Sequence, residues 1–424
     1  MLNLKFIQEN PELVIKKLKR KNFDASGIVS SITDLYKEKN KLQGEADKAK
    51  SEMNKISKEI GCLFQQGKTE EANAAKARTS ELKENIKQFD TDFSKIEEKV
   101  KDLLVQLPNL PHDSVPAGKG EEDNEVVKTV GDLPNLNENA LPHWELASKY
   151  NLIDFELGVK LTGAGFPVYR GKGARLQRAL INFFLAEATK AGYEEIQPPL
   201  AVNAASGFGT GQLPDKEGQM YHITEDDLYL IPTAEVPVTN IYRDVILDAK
   251  DLPLKNTAYS SCFRREAGSY GKDVRGLNRL HQFDKVEIVQ IAHPDKSYDV
   301  LNEMLVHVEG LVQKLELPYR ILRLCGGDIS FTSALTFDFE VFSAAQKKWL
   351  EVSSVSNFES FQANRLKLRY REEGVKKPQI AHTLNGSALA LPRIVAALLE
   401  NNQTSQGIKI PKVLVPYCGF EMID

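Results

Sequence analysis

A chain of 424 residues with 42% apolar and 27% charged residues has room for two packed domains and the composition of an ordinary globular protein. It has no uninterrupted apolar run of about 18 residues, and its four cysteines lie far apart, which argues against a membrane span, a disulfide framework or a cysteine-rich zinc site. The net charge of −4 argues against a chain coated in positive potential but allows local nucleic-acid contacts. Because no secretory signal pattern is present, we expect a cytoplasmic protein without a membrane partner.

Two heptad patterns dominate the N-terminal quarter. Apolar residues recur at steps of three and four from Ile28 to Leu63, with Lys39 as the one break in the seam. A second seam runs from Ala72 to Leu103. Each pattern predicts a helix of roughly 37 residues, about 55 Å long.

The two predicted helices are separated by a few residues, so they must fold back antiparallel. Gly67 is a helix stop and Thr69 an N-cap in this interpretation. Gly44, inside the first helix, should loosen it by about 1 kcal/mol relative to alanine. We predict a projecting arm over residues 1–110 with its tip near residues 65–70. Helical spacing alone favours a dimerisation or spacer role for such an arm.

Prolines and glycines in residues 105–125 break the helical pattern, which puts a domain boundary near residue 110 and a second domain at residues 111–424. Strand patterns then occur at 194–202, 228–236, 256–265, 281–292, 319–325, 335–342 and 349–357. Helical patterns occur at 174–191, 299–315 and 392–401. The fold class predicted is therefore α+β, with a mainly antiparallel sheet flanked by helices behind the helical arm.

Residues 256–292 predict a hairpin with a long polar, glycine-containing loop. Alternation places Arg264 and Glu266 on one face of the first strand, and Phe283 and Glu287 on one face of the second. An arginine suits a phosphate, an aromatic ring suits a base and a carboxylate suits an amine or hydroxyl. This set fits a nucleotide and a small polar molecule. An exposed hairpin whose charges pair across the strands explains the alternation equally well.

Residues 262–287 resemble motif 2 of the class II aminoacyl-tRNA synthetases, in the form found in the seryl-tRNA synthetase family. The other two class II motifs have counterparts at residues 173–202 and 384–403, the first of which forms the dimer interface in that class. Serine-specific stretches of the family resemble "PTAEVP" at 232–237 and "WLEVSSVSNFESFQANRL" at 349–366. The resemblance covers nearly the whole chain, the arm included.

The resemblance implies a homodimeric ligase that uses ATP and Mg²⁺ to join L-serine to tRNA(Ser), and we expect tRNA(Sec) as a further partner. Activation would depend on Arg264, Glu266 and Arg393. L-serine would contact Thr233, Ala234, Glu235, Arg264, Glu287, Asn385 and Ser387. ATP would contact Arg264, Arg265, Glu266, Phe283, Glu351, Val352, Ser353, Ser354 and Arg393. Magnesium would be held by Glu351 and Ser354, and tRNA by Lys272, Arg275, Lys37, Lys41, Lys48, Lys76 and Arg78.

One departure from the family pattern lies next to Arg393. Pro392 stands where the family usually has glycine before Arg393, and its fixed φ could reposition that arginine. Three alternatives remain at this stage: an enzyme that charges a carrier protein, an inactive paralogue that only binds, and a coiled-coil scaffold with an unrelated head. The arm disfavours the first. Intact Arg264, Glu266, Glu287 and Glu351 disfavour the second, and the ordered motifs disfavour the third.

Overall fold

The computed structural model describes residues 1–136, 139–266 and 275–424. These residues form two compact units, Met1–Lys19 with Phe23–Pro108 and Arg20–Asn22 with Asn109–Asp424. The assignment of tRNA binding to residues 1–110 and of catalysis to residues 111–424 stays a prediction. No helix in the described part of the chain has both the length and the apolar character to cross a membrane.

The first unit is helical: α1 Leu4–Glu9, α2 Pro11–Lys19, α3 Ser26–Gln65 and α4 Thr69–Leu104. The two long helices, of 40 and 36 residues, pack against each other. Ion pairs show that they run antiparallel, because Lys39 of α3 meets Glu97 near the end of α4 at 2.8 Å, whereas Glu52 meets Arg78 near its start at 3.1 Å. The predicted antiparallel pair of long helices is confirmed.

Small and branched apolar side chains form the buried seam between the long helices. Its most buried members are Val29, Ile32, Ala46, Ala49, Ala72, Leu82, Ile96, Val100 and Leu104. Lys39, the break in the heptad pattern, keeps 22% of its side chain exposed and places its ammonium 4.7 Å from the centre of the Phe93 ring. Because its stem covers the seam while its charge meets Glu97 and the ring, the lysine is accommodated without a buried unpaired charge.

The connection between α3 and α4 bears out one of two local predictions. Gly67 has φ +74°, the left-handed conformation that ends a helix, as predicted. The predicted N-cap at Thr69 is wrong, since Thr69 is the first helical residue and the N-cap position is Lys68, whose side chain makes no capping bond. Glu70 and Glu71 lie in the first turn instead, where their charges favour the positive end of the helix.

The second unit is built on sheets. Its strands are β1 Glu125–Val130, β2 Ile153–Asp154, β3 Val168–Tyr169, β4 Glu194–Glu195, β5 Ala201–Asn203, β6 His222–Ile223, β7 Leu228–Leu230, β8 Ile246–Asp248, β9 Leu254–Phe263, β10 Gln282–Ala292, β11 Tyr319–Arg323, β12 Leu335–Ser343, β13 Lys348–Glu359, β14 Arg369–Arg371, β15 Gln379–Ile380, β16 His382–Ala390, β17 Ile408–Lys409 and β18 Met422–Ile423. The main sheet has the order β1-β11-β12-β13-β16-β10-β9-β4. Its neighbours pair antiparallel except β4 with β9, which confirms the predicted sheet type.

The helices of this unit are α5 His143–Lys149, α6 Phe155–Leu161, α7 Gly171–Lys190, α8 Ala204–Thr210, α9 Glu235–Asn240, α10 Ser297–Lys314, α11 Ser360–Leu366, α12 Leu391–Asn401 and α13 Val415–Cys418. Single 3-10 turns lie at Glu121–Asp123, Ala249–Asp251, Pro294–Lys296 and Lys412–Leu414. The predicted helices at 174–191, 299–315 and 392–401 are confirmed as α7, α10 and α12. Their apolar faces share one buried core with the sheet, including Val286 and Ile288 of β10. Because side chains alternate along a strand, Lys285 and Glu287 face the other side, where the candidate site lies.

Two strand predictions need correction. Residues 228–236 are a strand only at β7, and Glu235 begins α9, because Pro232 has no N–H for a continued ladder. In residues 194–202 only β4 and the start of β5 are strand, since Pro198 and Pro199 interrupt the segment. Strand β1 is not among the predicted strands, and it pairs antiparallel with β11.

Candidate active site

The hairpin of β9 and β10 frames the site. Its register pairs Phe263 with Gln282, Cys262 with Phe283 and Ala258 with Glu287. The strand β9 ends at Phe263, so Arg264 and Glu266 are not strand residues with a shared face, contrary to the sequence prediction. The backbone of Arg264 still contacts the second strand, since its N–H donates to the carbonyl of His281 at 2.9 Å. Glu266 has φ +48°, a left-handed conformation that does not continue the strand.

Arg264 is anchored at two points on either side of the site. Its Nε donates to the carbonyl of Pro232 at 3.3 Å, immediately before the Thr233 segment. Its guanidinium carbon lies 5.2 Å from the centre of the Phe283 ring. The structure therefore brings Arg264, Phe283 and Thr233 together, as predicted, with an arginine fork placed between an aromatic surface and a polar pocket.

Glu266 has a partner that the sequence did not indicate. Its carboxylate forms an ion pair with Arg279, on the chain segment that returns toward β10. The pair orients the carboxylate and leaves about half of the Arg279 side chain (48%) exposed. Any group that binds Glu266 must share this carboxylate with Arg279.

The polar pocket centres on Glu287, which is 2% exposed. The Thr233 hydroxyl donates to Oε2 of Glu287 at 3.1 Å, and the ammonium of Lys285 lies 2.6 Å from the same oxygen. Both charges of this pair are buried, so each depends on the other for compensation. A carboxylate held in this way keeps acceptor capacity for one further donor.

Glu235 provides a second, partly buried carboxyl group beside Glu287. Burial, and then the neighbouring charge of Glu287, raise the pKa of Glu235 to about 7. Gln362 of α11 donates to its Oε1 at 2.7 Å, and the backbone N–H of Glu235 donates to the Thr233 hydroxyl at 3.2 Å. Ala234 between the two pocket residues is fully buried. The segment from Thr233 to Glu235 is thus one wall of the pocket.

Strand β16 lies beside β10 in the main sheet and adds two polar residues next to Glu287. Ser387 pairs in register with Glu287, and Asn385 pairs with Val289. Both β16 side chains are nearly buried, at 8% and 7% exposure. The pocket therefore combines carboxylate, hydroxyl and amide groups in a space with little access for water.

The next strand, β13, contributes Glu351, Val352, Ser353 and Ser354. The Ser353 hydroxyl donates to the carbonyl of Ser387 at 2.5 Å, which ties β13 to β16. Ser354 is in register with Asp338 of β12, whose Oδ1 is buried without a hydrogen-bond partner among the described residues. Burial, and then the charge of Glu351, raise the pKa of Asp338 well above its ordinary value.

The donors at this edge of the sheet suit a hard cation. Carboxylate and hydroxyl oxygens are the ligands that Mg²⁺ accepts, and magnesium sites often use one or two protein ligands plus substrate phosphates. Glu351 and Ser354 provide two such oxygens, and the unpartnered oxygen of Asp338 lies on the neighbouring strand. Among the described residues no cluster of three His, Cys, Asp or Glu side chains forms a self-contained metal site. The set therefore fits a magnesium ion that is shared with phosphates.

Arg393 at the start of α12 reaches this same edge. Its NH1 donates to the carbonyl of Glu351 at 2.8 Å and lies 3.4 Å from the Glu351 carboxylate. Its Nε donates to the carbonyl of Asn278 at 3.1 Å. Pro392 occupies the first turn of α12, where its missing N–H costs no helical hydrogen bond.

The structure describes all but one of the residues predicted to bind tRNA. Lys272 falls outside the described residues, and Arg275 lies over the Trp144 ring at 4.9 Å. Five exposed side chains of the arm complete the set, namely Lys37, Lys41, Lys48, Lys76 and Arg78. Arg78 is already paired with Glu52 and Glu81, and Lys76 lies 4.6 Å from the centre of the Phe64 ring.

Sequence reasoning missed several partners of the site residues. Lys285 shares the strand face of Glu287, but alternation did not distinguish a buried ion pair from a solvated lysine. Arg279 and Gln362 gave no local signal, because they meet Glu266 and Glu235 only through the fold. The one usable signal was charge within an otherwise apolar strand, as in "DKVEIVQIA".

Comparisons with known proteins cover both units. The family described as "Seryl-tRNA synthetase N-terminal domain" matches residues 1–111, and "tRNA synthetase class II core domain (G, H, P, S and T)" matches residues 220–402. A Serine--tRNA ligase of Salinibacter ruber is 52% identical over 424 residues, which are 100% of this chain and 99% of that protein. The crystal structure of seryl-tRNA synthetase from Pyrococcus horikoshii complexed with ATP has a TM-score of 0.95 at 35% identity, covering 100% of this chain and 99% of that one. The M. kandleri SerRS solved with A. aeolicus tRNASec shares the fold, with a TM-score of 0.58 at 18% identity over 79% of this chain and 68% of that one.

Proposed function

Because the chain belongs to the seryl-tRNA synthetase family and is a serine–tRNA ligase with a class II core, we propose that the pocket between β10, β16 and Thr233 binds L-serine and that the hairpin beside it binds ATP. One observation carries this assignment. Glu287 is buried with the Thr233 hydroxyl and Lys285 on it, next to an arginine that lies against Phe283. A hydroxyl-reading pocket and a nucleotide-reading surface are thus adjacent.

The ATP surface uses the hairpin and β13. Arg264 binds the α-phosphate and the serine carboxylate, because its fork lies between the pocket and the Phe283 ring. Phe283 stacks on one face of adenine, and Arg393 lies against the other. Glu266 accepts from the adenine amino group and keeps its second oxygen for Arg279. The remaining ATP contacts are Arg265, Glu351, Val352, Ser353 and Ser354.

The first reaction joins the two substrates. An oxygen of the serine carboxylate forms a bond to the α-phosphorus of ATP, and the bond from that phosphorus to the bridging oxygen breaks, so that pyrophosphate leaves and seryl-adenylate remains. The attacking carboxylate is already an anion, so no general base is needed. Arg264 holds both reacting groups and offsets the charge that develops at phosphorus. Glu351 and Ser354 would hold Mg²⁺, which neutralises phosphate charge when bound.

Serine selection follows from the chemistry of the pocket. The substrate hydroxyl donates to Glu287, and Ser387 and Asn385 of the neighbouring strand β16 line the pocket beside it. Thr233, Ala234 and Glu235 bind the remainder of the amino acid. Alanine would leave the buried Glu287 carboxylate without this donor, and a site built for a hydroxyl can reject such an analogue by about 10⁴-fold.

The second reaction transfers the seryl group to the 3′ end of tRNA. A terminal ribose hydroxyl attacks the carbonyl carbon of seryl-adenylate, and the bond from that carbon to the phosphate oxygen breaks. AMP leaves with the bonding electron pair, and its phosphate takes up the hydroxyl proton. We propose that Lys272 and Arg275 approach the acceptor end, and that the arm residues Lys37, Lys41, Lys48, Lys76 and Arg78 contact the long variable arm of tRNA(Ser). Exposed lysines on a long rigid element suit recognition of RNA by shape and phosphate contacts.

Further partners and location are part of the proposal. tRNA(Sec) is a second tRNA substrate, which is supported by the fold shared with a protein solved with tRNASec. The enzyme is a homodimer, supported by the class II motif at residues 173–202 and by apolar side chains exposed nearby, such as Leu161 at 67% and Leu200 at 41%. Four free cysteines are compatible with a reducing cytoplasm.

The test is amino-acid-dependent exchange of pyrophosphate into ATP with purified full-length protein and magnesium, using serine, threonine, alanine and cysteine in turn. We expect exchange with serine only. Glu287→Gln, which keeps the size of the side chain but removes its charge, should lose exchange with serine without gaining it with alanine. If none of the four amino acids supports exchange, the protein is not an active enzyme and is better described as a paralogue that only binds. Exchange with a different one would overturn the roles of Glu287 and Ser387.

A further inference from the structure

A buried polar pair lies behind the site. His143 and Glu400 are both 0% exposed. His143 donates its backbone N–H to Oε1 of Glu400 at 3.0 Å, and its ring Nδ1 is 2.8 Å from the same oxygen. The Ser343 hydroxyl and the backbone N–H of Ala345 donate to the other oxygen. Burial alone would raise the pKa of Glu400, but the hydrogen bonds of His143 and Ser343 hold it below its ordinary value. The carboxylate is therefore ionised.

The far side of the imidazole fixes its tautomer. The backbone N–H of Leu277 donates to Nε2 of His143 at 2.9 Å. Because Nε2 accepts from Leu277, the ring proton is on Nδ1, which lies 2.8 Å from Oε1 of Glu400. Leu277 is 1% exposed, which leaves no water to replace this bond.

The backbone at Gly276 lies close against the His143 ring. Gly276 has φ +68°, and a Cβ at this position would lie 2.3 Å from Nε2 of His143, so only glycine permits the approach. One residue earlier, Arg275 lies over the Trp144 ring at 4.9 Å. Residues 275–277 thus rest on His143 and Trp144.

The same segment holds Arg393. The Asn278 carbonyl accepts from Nε of Arg393 at 3.1 Å, and the Asn278 side chain donates to Gln346, which in turn donates to Glu400 at 3.0 Å. Arg393 and Glu400 are two turns apart on α12 and so share a face. The helix therefore holds Leu277 and Asn278 at two points, directly through Arg393 and indirectly through His143.

We propose that His143 is a positioning residue for ATP. The hydrogen bonds from Glu400 through His143 to Leu277 fix the position of the neighbouring Asn278 carbonyl relative to α12. That carbonyl accepts from Arg393 and so orients its guanidinium toward the adenine. Trp144 beneath Arg275 provides the second contact of this support. The inference rests on the proposed function, because it takes Arg393 as an adenine contact. It assigns a role to residues that touch neither substrate.

Two matched variants separate positioning from packing. His143→Asn places its amide near the former Nδ1, so it keeps the bond to Glu400 but loses the acceptor for Leu277. His143→Gln places its amide oxygen near the former Nε2, so it keeps the acceptor for Leu277 and weakens the bond to Glu400. The readout is serine-dependent pyrophosphate exchange, with KM measured separately for ATP and for serine and folding checked by thermal unfolding.

We expect His143→Asn to raise KM for ATP about tenfold with KM for serine changed less than about twofold, and His143→Gln to stay within about threefold of wild type. Equal effects of the two variants, or equal changes in both KM values, would overturn the proposal and reduce His143 to a packing residue. Wild-type protein without serine-dependent exchange would instead overturn the proposed function, so the two failures are distinguishable.

A second pair of variants decides the question if His143→Asn does not fold. Trp144→Leu removes the aromatic face under Arg275, whereas Trp144→Phe keeps one. We expect the leucine variant to raise KM for ATP about threefold and the phenylalanine variant to leave it unchanged. A rise that is the same for both, or absent from both, would contradict the support of residues 275–278 by residues 143–144.

Discussion

The exposed ion pairs of the arm differ in burial from the Lys285–Glu287 pair of the site. Lys37 and Asp34 on α3 keep 73% and 70% of their side chains exposed, whereas Lys285 and Glu287 keep 7% and 2%. Exposed pairs contribute little to stability, but a buried charge that loses its partner costs about 3–5 kcal/mol. The arm should therefore tolerate single changes and respond to groups of them, while the second unit should respond to single changes.

The largest effect is expected at Arg264. Arg264→Ala should lower serine-dependent pyrophosphate exchange about 10³-fold, because it removes the guanidinium that contacts Pro232 and the Phe283 ring and is proposed to bind the α-phosphate. The measurement is kcat/KM for ATP. Arg371→Ala, at an exposed position of β14, is the control and should keep wild-type exchange. Comparable losses in the two variants would remove the special role of Arg264.

The next effect concerns pH. Because burial and Glu287 raise the pKa of Glu235 to about 7, the folded state favours its protonated form. The stability that this group contributes is complete below its unfolded pKa and is lost as pH rises through about 7. Glu235→Gln should remove this loss, so between pH 4.5 and pH 8 the variant should gain on the order of 3 kcal/mol relative to wild type.

Thermal unfolding of the two proteins across that pH range, without substrates, measures the Glu235 effect. Gln362→Leu is a second test of the Glu235 pKa, since it removes the amide donor that lowers this pKa. Melting curves of wild type and Glu235→Gln that stay parallel from acid to alkaline pH would show that Glu235 ionises normally in the fold.

A smaller effect is expected from the arm. Replacing Lys37, Lys41 and Lys48 together by glutamine should lower kcat/KM for tRNA about tenfold and leave pyrophosphate exchange unchanged, whereas each single change should matter less than about threefold. Lys87, Lys95 and Lys99 on α4 form a control triple of equal charge that is also exposed. If the two triple variants weaken tRNA charging equally, tRNA binding depends on the total charge of the arm and not on the proposed residues of α3.

The smallest effect concerns the arm's own stability. Gly44→Ala should raise the free energy of unfolding of the arm by about 1 kcal/mol, because a Cβ at this position meets nothing within 4 Å. Gly67→Ala should act in the opposite direction, since Gly67 has φ +74° at the end of α3. Denaturant unfolding followed by circular dichroism compares them, and an identical response of the two glycines would contradict this interpretation of the helix end.

The sequence predicted the arm and the sheet because both follow from local periods. Heptad spacing indicated α3 and α4, and alternation indicated β9, β10, β12 and β13, within one or two residues at most ends. Predictions that depended on a single residue were less secure. Thr69 is helical and not a cap, and Glu235 begins a helix where alternation favoured a strand.

The site was predictable only in part, for a physical reason. Resemblance identified Arg264, Phe283 and Glu287, and the structure brings these residues to one place. Their supports come from distant parts of the chain: His143 and Glu400 are 257 positions apart, and Glu235 and Gln362 are 127 apart. No local pattern encodes such pairs, because each residue is satisfied only after the sheet and α12 have formed.

One measurement addresses the division between the two units most directly. Full-length protein is given tRNA(Ser) transcripts with an intact or a deleted variable arm and the same acceptor end, while pyrophosphate exchange is followed in parallel. We expect exchange to be identical in both mixtures and charging of the deleted transcript to fall about 100-fold or more, because the arm residues are the proposed contact for that part of the tRNA. Equal charging of the two transcripts would show that the second unit selects tRNA without the arm.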